Sequence, residues 1–140
     1  MLKRLTGDLV IPCEGCIWSA RGLHLRRLFT YFGVDCVFDV GANRSQYAKM
    51  LRDHVGYRGP IVSYEPVPNL AAELRTLFPI DPDWRIVELA LDREAGPAIF
   101  HVMADSQFSS LHDPAIDQPT VFTATNSIGR EVTVMRDRCR

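Results

Sequence analysis

The sequence predicts an α/β protein built around a parallel sheet, and three observations carry that expectation. Short apolar runs of strand length alternate with stretches whose apolar residues recur every three or four positions. Turn-forming residues punctuate the alternation at Gly33, at Gly56 to Pro60, at Pro79 and at Asp81 to Asp83. The length of 140 residues suits one domain with a buried core.

From the N-terminus, Ile17 to Phe32 places Trp18, Leu25, Leu28, Phe29 and Phe32 on one side of a helix, which Gly33 stops. Cys36 to Val40 is an apolar run expected to be a parallel strand covered on both faces. Tyr47, Met50, Leu51 and His54 form the apolar face of a second helix, ended by the Gly56 to Pro60 turn. Ile61 to Tyr64 is a second strand, ended by Glu65-Pro66. Leu70, Ala71, Leu74, Leu77 and Phe78 form a face of a third helix, stopped by Pro79. A turn at Asp81 to Asp83 leads into a third strand over Arg85 to Leu89.

Beyond Asp92 the alternation ends. Ala98 to Met103 and Glu131 to Met135 read as short strands, expected to pair antiparallel across a loop rich in Asp, Pro, Ser and Thr. The domain plan is thus a single unit over 1–140: a helical segment over 1–33, a βαβαβ unit over 34–92, and a loop with short strands over 93–140.

Composition narrows the function. A net charge of -1, with Lys and Arg interspersed among nearly equal numbers of Asp and Glu, gives no basic footprint, so nucleic acid is not an expected partner. No apolar run reaches the roughly 18–20 residues of a membrane span. The stretch after Lys3 and Arg4 is broken by Asp8, Pro12 and Glu14, a poor signal peptide, so the expected location is the cytoplasm. Cys13 and Cys16 form one C-x-x-C without a second ligand pair, and no metal is expected.

Three features stand in the order a nucleoside cofactor requires. Gly41 closes the first strand in a turn where backbone approaches a ligand with no Cβ in the way, and Asn43 tolerates the left-handed angles of such turns. Glu65, about twenty residues on, ends strand two where a carboxylate accepts hydrogen bonds from ribose hydroxyls. Ala90-Leu91-Asp92 follows strand three, in position to border an adenine. A dinucleotide loop needs second and third glycines beside its pyrophosphate. Here the run is Gly41-Ala42-Asn43-Arg44-Ser45, preceded by Asp39. An acidic residue at that place suits a cofactor with a cationic amino-acid tail and no phosphate, S-adenosylmethionine rather than NAD.

Asp39-Val40-Gly41-Ala42-Asn43, Gln46-Tyr47, Ser63-Tyr64-Glu65-Pro66, Ala90-Leu91-Asp92 and the pair Ser109-Ser110 together resemble the FkbM family of methyltransferases, over about Val34 to Leu111. The resemblance implies a Rossmann-like class I methyltransferase fold, truncated to three βα units plus extra short strands. It also implies methylation of a hydroxyl on a sugar, glycolipid or polyketide-type small molecule, with S-adenosylmethionine as cofactor. Residue by residue it places Asp39, Gly41 and Asn43 at the methionine end of the cofactor, Glu65 at the ribose and Ala90 near the adenine, with Ala42 and Pro66 also among the cofactor-binding residues. The serine pair shapes the site or lies in a polar surface loop.

Two departures stand out. Where the family has glycine this chain has Ser45, which either caps the following helix or, at positive φ, costs about 1 kcal/mol. The family also continues beyond the point at which this sequence reaches Arg140, so the first strand is expected to show a bare edge, open to self-association or to strands from a partner. No catalytic residue is assigned: His101 and His112 are candidate bases for a hydroxyl acceptor, with structural or surface roles as the alternative. The competing reading of the whole chain is a catalytically inactive, truncated Rossmann-like module that at most binds cofactor or a partner chain.

Overall fold

A computed structural model describes residues 14–77, 81–113 and 127–138. The elements run α1 (Glu14–Phe32), β1 (Val37–Val40), α2 (Gln46–Met50) continued by a π-helical turn (Leu51–Val55), β2 (Ile61–Tyr64), α3 (Pro68–Leu77), β3 (Trp84–Val87), β4 (Ala90–Asp92), β5 (Gly96–Met103) and β6 (Ile128–Arg138). Among the described residues the fold is mixed α/β, with two small sheets and no closed barrel. One sheet is parallel in the order β1-β2-β3; the other is mixed, in the order β4-β6-β5.

The parallel sheet is aligned so that Val37 pairs with Ile61 and Ile61 with Trp84. Its short strands are joined by the helices predicted between them, as parallel pairing requires a crossover. Against one face lies a cluster of Ala48, Leu51, Val55, Tyr57, Ile61 and Trp84, with Leu25 and Phe29 of α1 packed on it. Phe29 meets Tyr57 edge to face at 5.3 Å between ring centroids. Val67, Ala71 and Leu74 are buried through α3. The approach of α1 to the π turn depends on Gly22, where an added Cβ would sit 2.6 Å from the His54 carbonyl oxygen. Gly33 ends α1 as expected: its N–H reaches the Thr30 carbonyl and that of Val34 reaches Phe29.

Three sequence expectations need correction. The buried face of the second helix is Ala48, Leu51, Arg52 and Val55, whereas Tyr47 and His54 are exposed. The buried positions keep the spacing of a helical stripe but start one residue later than the apolar pattern suggests, which turns the face by about 100° and takes in Arg52. In α1, Leu25 and Phe29 are half-buried, but Leu28 and Phe32 are exposed. The first strand is not covered on both faces: Phe38 and Val40 are 64% and 59% exposed. It lies at the edge of its sheet, with β2 as its one neighbour among the described residues.

The second sheet contains the expected antiparallel pair, with Ala98 opposite Val134 and His101 opposite Glu131. It also contains a strand that the sequence pattern missed: Ala90–Asp92 pairs parallel with β6, Ala90 opposite Arg136. Arg136 holds the pairing through ion pairs to Asp92 and Glu94. Phe78, Pro79, Trp18 and the C-x-x-C at Cys13 and Cys16 fall outside the residues or side chains described. Among the described residues no helix is long and apolar enough to cross a membrane.

Candidate functional site

The carboxyl ends of β1, β2 and β3 point into a cavity of about 920 Å³, the size of sites that enclose small organic ligands (about 300–1,000 Å³). Open parallel sheets bind ligands at that end, where strand tips and loops converge. Asp39, Gly41, Ala42 and Asn43 reach it from the first turn, Glu65 and Pro66 from the second, and Ala90 from β4. Further wall comes from Gln46 and Tyr47 of α2, Leu70 of α3 and the segment after β5, with Ser106, Gln107 and Ser109 to His112.

The first turn is tightly wound. Gly41, Asn43 and Ser45 all have left-handed backbone angles, with φ of 75°, 49° and 62°. The Gly41 and Ala42 N–H groups both donate to the Tyr64 carbonyl at 3.0 Å, and this folds the turn back onto the end of β2. A Cβ on Gly41 would meet nothing within 4 Å, so the glycine answers to the backbone angle and leaves open space beside it.

Ser45 resolves the alternative posed by the sequence: it precedes α2 at positive φ and its side chain makes no capping bond. Its fully buried Oγ also has no hydrogen-bond partner. Ser45→Gly is therefore expected to stabilise the protein by about 1 kcal/mol, by relieving a left-handed non-glycine residue and removing an unsatisfied hydroxyl. An unchanged or lower thermal midpoint for the variant would contradict the strain.

Glu65 joins the two turns. Its Oε2 accepts from the Asn43 N–H at 2.7 Å and its Oε1 from the Val67 N–H at 2.9 Å. Each oxygen keeps lone-pair capacity for a further donor. Burial raises the Glu65 carboxyl above its ordinary value of 4.5; the Val67 and Asn43 N–H groups pull it down, and the nearby Asp39 charge pushes it up. Burial likewise raises Asp39 above 3.8, against a hydrogen bond from Ser63. Two buried carboxyls thus face one cavity and repel each other, an arrangement that a cation relieves. Asp92, also on the wall, is held below its ordinary value, first by the Arg93 N–H and then by Arg136.

The segment after β5 is bound into the site by side chains that the pattern of strands and helices did not reveal. Asn43 Nδ2 donates to Ser106 Oγ at 3.0 Å, a contact between residues 63 positions apart. Asn43 Oδ1, buried beside it, has no partner. Ser109 Oγ accepts from the Met103 N–H, Ser110 Oγ accepts from the His112 N–H, and the Ser110 and His101 backbones pair. The serine pair therefore holds its own loop against β5 while bordering the cavity. A serine-rich stretch after a strand was the available signal, and it gave no hint of Ser106.

The two candidate bases separate. His112 borders the cavity and is exposed. His101 does not border it: it is buried on the second sheet, with Nε2 3.2 Å from Asp113 Oδ1 and Nδ1 3.3 Å from Glu131 Oε1. Among the described residues, no group of three or more His, Cys, Asp or Glu is gathered as a metal site. Comparison with protein-family models, with curated proteins and with solved structures finds no match to this chain.

Proposed function

We propose that the chain is an S-adenosylmethionine-binding, Rossmann-like methyltransferase domain whose acceptor is a hydroxyl on a sugar, glycolipid or polyketide-type small molecule, acting in the cytoplasm. The supporting observation is the pairing of two buried carboxyls, Asp39 and Glu65, in one cavity beside a left-handed glycine turn. A cofactor bearing ammonium and sulfonium charges and ribose hydroxyls suits that lining; a pyrophosphate would meet two like charges. Asn43 Oδ1, buried beside the cavity turn, is an acceptor that the protein itself leaves unsatisfied.

Bound there, the cofactor would supply an activated methyl group for in-line displacement. The chain's part is placement. Asp39 would face the cationic tail, the free lone pairs of Glu65 would take the ribose hydroxyls, and Ala90, small and buried, would leave room for the adenine. His112, at the wall, is the described histidine placed to accept an acceptor's proton.

Titration with S-adenosylmethionine should raise the melting temperature, because a ligand that binds only the folded state stabilises by about 2.7 kcal/mol at a hundred times its Kd. Affinity should strengthen as pH rises from the ordinary values of 3.8 and 4.5 through the raised values of Asp39 and Glu65, since only ionised carboxylates attract the cation. Over that window the ligand-free fold holds more protons than the unfolded chain. It should therefore lose stability as pH rises, the opposite of a salt-bridged carboxylate. No stabilisation at millimolar cofactor, or tighter binding of NADH, removes this reading.

A second reading is favoured by one observation, the open edge of β1 with Phe38 and Val40 exposed. An edge of that kind suits a non-catalytic module completed by a partner chain. Cofactor binding without methyl transfer to any acceptor, together with self-association in size-exclusion runs, would favour it.

A further inference from the structure

A buried chain of hydrogen bonds crosses the parallel sheet and ends at the cavity. Trp84 Nε1 on β3 donates to Ser63 Oγ on β2 at 2.9 Å, and Ser63 Oγ donates to Asp39 Oδ2 on β1 at 3.0 Å. Ser63 is wholly buried, and Trp84 and Asp39 nearly so. Asp39 borders the cavity, whereas Ser63 and Trp84 stand behind it. The alignment of the strands creates the chain: Asp39 lies opposite Ser63, and Trp84 lies opposite Ile61, two residues before Ser63 on the same face.

The direction of the first bond is forced, and that of the second follows where Asp39 is ionised. An indole N–H can only donate, so it occupies a lone pair of the Ser63 oxygen. The hydroxyl proton is left for Asp39, whose ionised carboxylate only accepts. We infer that Ser63 and Trp84 are positioning residues for a cationic ligand, clamping one oxygen of Asp39 so that an ionised carboxylate, with its second oxygen free, is presented to the cavity. The inference rests on the reading of the cavity as an adenosyl-sulfonium site.

The clamp works against burial. Without a donor at Oδ2, a carboxyl in this place would take up a proton or turn away, and either change removes the charge from the ligand's path. The other titratable groups facing the cavity are Glu65 at the end of β2, Tyr64 on β2, Tyr47 on α2, Asp92 on β4 and His112 after β5. Of these Glu65 repels an Asp39 charge, which increases the need for a fixed donor.

The test uses the full chain with 13C-labelled aspartate carboxyls, in wild type, Ser63→Ala, Ser63→Thr and Trp84→Phe. In ligand-free protein, Ser63→Ala should move the Asp39 titration midpoint upward, Trp84→Phe should move it less in the same direction, and Ser63→Thr, which keeps a hydroxyl, should restore it. Calorimetry with S-adenosylmethionine should show about ten-fold weaker binding for Ser63→Ala near neutral pH, the loss of one bond to a charged group, with the deficit shrinking at higher pH. An Asp39 midpoint that coincides in Ser63→Ala and wild type overturns the clamp. Should Ser63→Ala fail to fold, Trp84→Phe decides on the same readout. Wild-type protein that binds no S-adenosylmethionine, with the midpoint still shifted in Ser63→Ala, upholds the clamp and overturns the ligand.

Discussion

Replacing Arg52 with methionine is expected to cost about 2–4 kcal/mol of folding stability, because carbonyls bonded to its buried guanidinium lose their donor at about 1–3 kcal/mol each and the partly exposed Asp81 loses its partner. That is a large share of the roughly 5–15 kcal/mol typical of a whole domain. Arg52 sits on the buried face of the helix, 8% exposed, and spreads its guanidinium over two chain segments. Nε meets Asp81 Oδ2 at 2.8 Å, and Nη1 donates to the carbonyls of Tyr57 and Gly59 at 2.9 and 2.8 Å. The plane also lies over the Tyr57 ring, 5.6 Å from its centroid. These contacts tie the turn that opens β2 to the turn that opens β3, just where Ile61 N–H donates to the Asp83 carbonyl at 2.7 Å. Methionine fills much of the volume but leaves two carbonyls and a carboxylate without their donor. Urea unfolding measures the effect; a change under about 1 kcal/mol would mean that water satisfies those groups equally well.

Glu65→Ala should act on both folding and binding. Two bonds from backbone N–H groups to a charged acceptor are worth about 1.5–3 kcal/mol each, offset in part by no longer burying a carboxylate, so a net loss of about 2–4 kcal/mol is expected. The Asn43 N–H would be released, and with it the turn that Gly41 begins. On the proposed reading of the site, S-adenosylmethionine binding should weaken by about a hundred-fold or more, since the carboxylate that would take the ribose hydroxyls and the turn geometry are lost together. Glu65→Gln separates the two effects: its single carbonyl oxygen can serve Asn43 or Val67 but not both, and its stability should fall between the others. Unaltered cofactor affinity in Glu65→Ala would remove Glu65 from the site.

The Glu65 and Arg52 cases differ in how they could be read from the chain. A carboxylate ending a strand twenty-odd residues after a glycine turn stands out in one dimension, because strand ends and turns are local features and a parallel sheet brings successive strand ends together. Asp39, Gly41, Asn43 and Ala90 meet at the cavity for the same reason. Arg52 has no such mark. A charged residue in a helix normally faces water, and only the packing that buries Ala48, Leu51, Arg52 and Val55 together carries it inward.

What the amino-acid order determined by itself was the alternation of strands and helices, the turns between them and the side chains at the strand ends. These follow from apolar period and from the local backbone chemistry of Gly, Pro, Asn and Asp. The tertiary structure alone decided what lies between distant segments. It placed Ser106 against Asn43, joined Ala90–Asp92 to β6, moved His101 away from the cavity, and aligned Trp84, Ser63 and Asp39 across three strands. It also left β1 at the edge of its sheet and one of its faces uncovered, so that Phe38 and Val40, apolar as any covered strand, stand exposed. Sheet register and neighbour order arise from pairing between segments far apart in the chain, and no periodicity within one segment encodes them.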